Sequence, residues 1–303
     1  EFLGYARQGT EQFGLLKSKY IDKKTKEKFS VSTQHYTFAV QAFVETVKKT
    51  GMEQYEFAVQ WKKVKDYANE KGIKILGDIP IYVSADSVDA WVGGALFELD
   101  ADGRFARVAG CPPDYFSADG QLWGNPLYDW DAMREDGFGW WIRRIDGAGK
   151  MYDVIRIDHF RGLASYWAVP YGETTAKNGK WRTGPGIALV NALKGWFHNL
   201  EFIAEDLGFA TSDVEKLLKE SGFPGMKVLE FAFDSRDTSS YLPHSYTENC
   251  VCYTGTHDNS PLALWRQEAA PEDVAHAVEY LALTEQEGFH WGIRCLPRLI
   301  HKG

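Results

Sequence analysis

Four short, near-continuous apolar runs in this chain each end on a carboxylate. Asp78 follows "IKILG", Asp158 follows "VIRI", Glu205 and Asp206 follow "FIA", and Asp258 follows "VCYTGTH". Runs without strict polar alternation belong to strands covered on both faces, the situation in a parallel sheet flanked by helices. The segments between them supply the helices. "YEFAVQWKKVKDYANEKG" spaces Phe57, Val59, Trp61, Val64 and Tyr67 at roughly helical intervals and closes on Gly72. A helix over Asp131 to Ile145 carries Trp140, Trp141, Ile142 and Ile145, and another spans Gly186 to Phe197. Ser212 with Glu215 makes a capping box for "SDVEKLLKESG". "MKVLEF" and "CVCYTGTHDN" read as further strands, and "APEDVAHAVEYLAL" as a helix with Pro271 in its first turn.

Strand and helix in alternation give an α/β fold, and both an open doubly wound sheet and a (β/α) barrel satisfy it. No G-x-G-x-x-G or Walker motif follows any of these strands, which removes the usual nucleotide-binding reason for the open sheet. The favoured reading is a (β/α)8 TIM-type barrel. At least five strands are visible beyond Tyr36 where a closed barrel needs eight, and the chain begins at Glu1 and ends on "LIHKG". The expectation is therefore a single catalytic barrel domain over 1–303, partial, lacking the first strand or strands and a C-terminal closing segment. A Gly/Pro/Asp-rich stretch marks an inserted loop or subdomain at about 84–150.

Charge narrows the partners. The net charge is −8 with no Lys/Arg-rich block, so neither nucleic acid nor an anionic membrane surface is expected to bind, and neutral ligands fit better. Aromatic residues make up 15% of the chain, an excess seen where sugar faces are stacked but accounted for better by a large core. Cys111, Cys250, Cys252 and Cys295 are too few for a disulfide framework, and the Cys250-x-Cys252 pair lies inside a strand-like run, where adjacent residues face opposite sides. With no signal-peptide pattern and no apolar run near the roughly 20 residues of a membrane span, a cytoplasmic location is expected, or a plastid one for a plant source.

In a parallel barrel the C-terminal strand ends converge on one face. A lone Asp there is ordinarily a helix cap or turn former; four together, three with His or Asp beside them, form a constellation. Two chemistries use one. A metal centre could draw on Asp158–His159, Glu205–Asp206 and His257–Asp258, although no H-x-H or H-E-x-x-H spacing is present. Glycoside chemistry needs two carboxyls, roughly 5–5.5 Å apart in retaining enzymes, and Asp158 and Glu205 lie on consecutive strands.

Six blocks in order, "GDIPIYVSADSVDAW", "PPDYFSADGQLWGNPLYDW", "IRIDHFRG", "IAEDLG", "PGMKVLEFAFD" and "YTGTHDN", resemble the 4-alpha-glucanotransferase (amylomaltase, disproportionating enzyme) family, glycoside hydrolase family 77. The resemblance implies transfer of α-1,4-glucan segments between maltooligosaccharide, starch or glycogen chains, without a cofactor or metal, by a retaining double displacement. It makes Asp158 the nucleophile, Glu205 the general acid/base and Asp258 the third carboxylate, holding sugar hydroxyls. Arg156, His159, His257, Asn259, Asp78, Asp114, Tyr115 and Trp123 become substrate-binding candidates, the last three through a loop over the site. Arg156, on the same strand face as Asp158, should hold it ionised, and the apolar Phe202-Ile203-Ala204 run should raise the pKa of Glu205. Rival readings are an α-glucan hydrolase and an inactive glucan-binding fragment. Ser260-Pro261 departs from the family pattern after "THDN", where a polar residue and Thr are usual.

Overall fold

The computed structural model describes residues 33–114, 117–208, 211–234, 241–286, 288–289 and 293, with side chains from residue 48 onward. The chain divides into two compact units, Glu1–Ile73 and Lys74–Gly303. In the first, α1 runs over Thr33–Glu70. It closes as the sequence predicts: Gly72 takes a φ of 72°, open to glycine without penalty, and Ile73 N–H donates to Ala68 O at 2.9 Å. Phe57 and Trp61 stack one turn apart at 5.9 Å, while Tyr55, Phe57, Val64 and Tyr67 are exposed.

The second unit runs β1 (Leu76–Ile79), α2 (Val88–Val92), β2 (Arg107–Cys111), β3 (Gln121–Pro126), α3 (Trp130–Glu135), α4 (Gly139–Met151), β4 (Val154–Ile157), β5 (Ser165–Pro170), β6 (Lys180–Thr183), α5 (Ile187–Trp196), β7 (Glu201–Ala204), α6 (Ser212–Ser221), β8 (Gly225–Val228), β9 (Cys250–Tyr253), α7 (Leu262–Glu268) and α8 (Pro271–Tyr280). The apolar runs pair in parallel and in step. Leu76 lies opposite Val154 and Val154 opposite Glu201, and the ladder ends with Ile79, Ile157 and Ala204 abreast. Ala204 N–H donates to Pro224 O at 2.9 Å, bringing the entry of β8 beside β7, and β8 pairs in parallel with β9. The parallel strands thus follow one another in chain order. A doubly wound sheet reverses that order at a switch point, and none occurs among the described strands. The architecture is α/β, with a wall of parallel strands in chain order.

Side-chain alternation gives the wall two faces. Ile155 and Ile157 point outward and are fully buried with Trp141 and Ile145 of α4 and Leu189, Val190 and Leu193 of α5. Removing the buried part of one such side chain costs about 2–5 kcal/mol. Val154, Ile203 and Met226 make a second, inner cluster against Val251 and Tyr253. The same unit holds an antiparallel sheet in the order β3-β2-β5-β6. Two of its strands come from the segment after β1 and two from the segment after β4, whose strands β5 and β6 the sequence pattern did not reveal.

Much of the aromatic content serves packing. The buried Tyr128 ring touches Trp130 (5.0 Å), Trp140 (5.3 Å) and Trp141 (6.2 Å), and its hydroxyl donates to Ile81 O at 3.0 Å. Arg144 lies over both Trp140 and Trp141 and donates to Pro80 O (2.6 Å) and Ile81 O (3.2 Å), fixing the chain as it leaves β1.

Three local expectations are corrected. The helix over 131–145 breaks between α3 and α4 because Gly137 and Phe138 take φ of 68° and 60°. Thr211, not Ser212, caps α6, and it makes no side-chain capping bond. "MKVLEF" is strand only to Val228, since Leu229–Phe233 tightens into a 3-10 turn. Among the described residues no helix is long and apolar enough to cross a membrane.

Candidate active site

Asp158 is the first residue past β4, and its N–H still donates to Ile79 O of β1 at 3.0 Å. Beneath it, Arg156 is buried and lies opposite Asp78 in the β1–β4 register. One guanidinium therefore reaches three strands. Its Nη1 pairs with the Asp78 carboxylate, its Nη2 lies 3.1 Å from Asp158 Oδ1, and its Nε donates to Met226 Sδ at 3.3 Å. The contact with Asp158 is the one the sequence anticipates, but its electrostatic outcome differs. Burial is the largest influence on the Asp158 pKa and, with the Asp78 and Asp258 carboxylates, raises it against Arg156, which lowers it.

The chain then turns sharply. His159 takes a left-handed φ of 50°, a conformation costing about 1–2 kcal/mol that His tolerates better than most residues. The turn delivers its N–H to Glu205 Oε2 at 2.7 Å, and Phe160 N–H to Glu205 O at 2.9 Å. The other carboxyl oxygen, Oε1, accepts from Leu207 N–H at 2.8 Å. Because Ile157 and Ala204 are register partners, Asp158 and Glu205 stand level on adjacent strands, whose spacing is about 4.8 Å. Glu205 is only 8% exposed. That burial pushes its pKa up to about 7, with the nearby Asp158 adding to the rise, against the two amide bonds and Arg156.

Around the pair is an aromatic rim. Burial, helped by Arg161, lowers the His159 pKa to about 4, so its imidazole is neutral and offers one donor and one acceptor. Trp123 meets it edge-on at 4.8 Å, has its indole N–H on Gln121 Oε1 (3.1 Å), and remains 38% exposed. Asp114 is folded into its own loop, its Oδ1 accepting from Ser117 N–H at 2.7 Å. Tyr115, the remaining loop candidate, lies outside the described residues.

The third carboxylate is held differently. Asp258 and His257 are exposed, with His257 Nε2 3.4 Å from Asp258 Oδ1. Their turn is local: Asn259 Oδ1 accepts from both the N–H and the hydroxyl of Thr256 at 2.9 Å, and Asp258 N–H donates to Thr256 Oγ1 at 3.2 Å. Asn259 thus builds the turn with the oxygen that would otherwise face a ligand. Asp78, Arg156, Asp158, Glu205, His159 and Trp123 are brought together, Asp258 acts on Asp158 through its charge, and Asp114 belongs to its loop. Sequence reasoning missed Met226, which no pattern marks, and Arg161, buried with its guanidinium 4.7 Å over Trp181. Among the described residues no group of three or more His, Cys, Asp or Glu side chains could hold a metal ion.

Comparison with known proteins bears on this geometry. A family model described as 4-alpha-glucanotransferase matches residues 13–296. A 4-alpha-glucanotransferase of Clostridium butyricum is 51% identical over 242 residues, 79% of this chain and 50% of the relative. The chloroplastic/amyloplastic 4-alpha-glucanotransferase of Solanum tuberosum is 48% identical over 241 residues, 80% of this chain and 42% of the relative. Among solved structures, an amylomaltase from Streptococcus agalactiae in complex with acarbose superposes with a TM-score of 0.80 at 39% identity, covering 97% of this chain and 62% of that one. The chain spans about half the length of the relatives it matches.

Proposed function

The chain belongs to the 4-alpha-glucanotransferase family, and from that premise we propose that it supplies the centre of an α-1,4-glucan transferase that works by retaining double displacement. Asp158 attacks the anomeric carbon of the donor glucan, and the glycosidic bond breaks as Glu205 delivers its proton to the leaving oxygen. The shorter glucan leaves, and a glycosyl ester remains on Asp158. The 4-hydroxyl of an acceptor glucan then attacks that carbon, Glu205 takes the hydroxyl proton, and Asp158 is released as carboxylate.

The observation that carries this reading is the unequal treatment of two neighbouring carboxyls. Glu205 is desolvated and pushed up to about 7, suiting a group that must hold a proton near neutrality. Asp158 is half-exposed and faces the Arg156 cation 3.1 Å away, which opposes the rise that burial and the Asp78 and Asp258 carboxylates give its pKa and supports the charged form that a nucleophile needs. Asp258 holds sugar hydroxyls at the reacting ring, and His159, His257 and Asn259 line it. Trp123 gives an exposed ring for an acceptor glucose to stack on, and the Asp114–Tyr115 loop helps to exclude water. The wall of parallel strands is part of a (β/α)8 barrel, with the segment at about 84–150 inserted above it. The partners on this reading are maltooligosaccharides, starch and glycogen chains, in the cytoplasm or, for a plant source, the plastid.

Maltotriose is the test. Incubation followed by product analysis is expected to show a ladder of longer oligomers. Only shorter products would make the protein a hydrolase, and no products would leave a glucan-binding chain without turnover.

A further inference from the structure

The fifth strand of the wall repeats the feature that marks the other four. Glu230 lies two residues past the end of β8, in the 3-10 turn Leu229–Phe233, and its N–H donates to Thr254 O at 3.1 Å, carrying the β8–β9 pairing beyond Tyr253. It is only 6% exposed, and among the described residues its Oε1 has no hydrogen-bond partner. The carboxyl is set against Gly255: a Cβ built there would stand 3.0 Å from Oε2 and 3.1 Å from Cδ and Oε1. It fills the place that a side chain at 255 would take. One residue further on, Thr256 starts the turn that carries His257 and Asp258.

We propose that Glu230 is a positioning residue for Asp258, its carboxyl seated on Gly255 and fixing the height of the 255–259 turn above the reacting ring. The proposal rests on the transfer reading for the consequence of that placement, but not for the placement itself. Burial alone acts on this acid and pushes its pKa up to about 7, so around neutrality and below it can sit there uncharged. The backbone at Gly255 does not require glycine for its φ; a Cβ there would press on the carboxyl at 3.0–3.1 Å, so that the Glu230 side chain would have to give way by a few tenths of an ångström.

The experiment combines amide hydrogen exchange, resolved over residues 254–259, with maltotriose kinetics on Glu230→Ala, Glu230→Gln, Asp258→Asn and the double variant Glu230→Ala/Asp258→Asn. Glu230→Ala is expected to speed exchange in the turn about tenfold and to lower kcat about tenfold with KM within about twofold. Glu230→Gln, of the same shape and uncharged, is expected to recover both. If Glu230 acts through Asp258, the double variant is no slower than Asp258→Asn alone. Unchanged exchange in Glu230→Ala, or rate losses that multiply in the double variant, would overturn the proposal. A wild type without transfer activity would sink the functional reading, while the exchange measurement would still decide this one. Should Glu230→Ala not fold, Gly255→Ala crowds the same carboxyl and is expected to speed exchange of the same amides; unchanged exchange there overturns the proposal equally.

Discussion

The carboxyls past β4 and β7 and the one past β9 belong to the same rim but are held in unlike ways. Asp158 and Glu205 inherit their positions from the parallel ladder: Asp158 N–H bonds Ile79 O, Glu205 N–H bonds Ile157 O, and both Glu205 side-chain oxygens are pinned by backbone amides. Asp258 is exposed and owes its place to a turn closed by Thr256 and Asn259. A group whose charge must be tuned needs burial and fixed dipoles around it. A group that grips hydroxyls through solvent-facing oxygens needs only a stiff local scaffold.

Substitutions can break or sharpen this contrast. Asp158→Asn removes the attacking oxygen anion and is expected to lower transfer by about 10⁴-fold or more, measured as product formed from maltotriose. Retention of more than a few per cent of the rate would mean that Asp158 is not the nucleophile. Glu205→Gln is expected to cost about 10²–10⁴-fold and to remove the alkaline limb that the Glu205 pKa of about 7 predicts for the wild-type rate. An unchanged limb would assign it to another group. Asp258→Asn is expected to cost about 10²-fold, with the alkaline limb set by Glu205 kept and the Asp158 titration moved to lower pH, because the Asp258 charge that raises it is gone.

The buried side of the contrast also predicts stability. The Glu205 pKa is raised from 4.5 to about 7 on folding, so its contribution is fully present below about pH 4.5 and is lost as pH rises through 7. Glu205→Gln should therefore raise the melting temperature at pH 8, by on the order of 3 kcal/mol of stability, and change it little at pH 4.5. Asp258→Asn should shift neither by more than a few tenths of a kcal/mol. Thr256→Val, which removes the hydroxyl that accepts from Asp258 N–H, is expected to slow transfer only several-fold without changing the pH optimum. A loss as large as that of Glu205→Gln would erase the distinction drawn here.

What could be read from the chain alone follows the same division. Apolar runs ending in acids exposed the parallel wall and its carboxylates, since alternation and strand ends are local properties. The pairing of Arg156 with Asp158 followed from their i, i+2 spacing. Its net effect did not, because burial and the Asp78 and Asp258 carboxylates, which together outweigh the adjacent cation, are set by elements far away in sequence. The left-handed turn at His159 and the amides it aims at Glu205 leave no periodic trace. Strands β5 and β6 escaped notice because "SYWAVP" and "KWRT" are short and lie on an antiparallel sheet assembled from two distant segments. Glu230 was passed over, because "MKVLEF" reads as strand through Phe231 and hides that the strand stops at Val228, two residues before the acid.

The shared guanidinium of Arg156 has a consequence over the course of a turnover. At rest it serves two anions, Asp78 and Asp158, and this trio carries a net charge of −1. On the proposed double displacement, esterification of Asp158 would remove its anion while Asp78 stays in contact, and the trio would become neutral without the cation losing its counterion. The covalent stage therefore leaves no stranded positive charge beneath the sugar, and the returning carboxylate finds its old neighbour still in place.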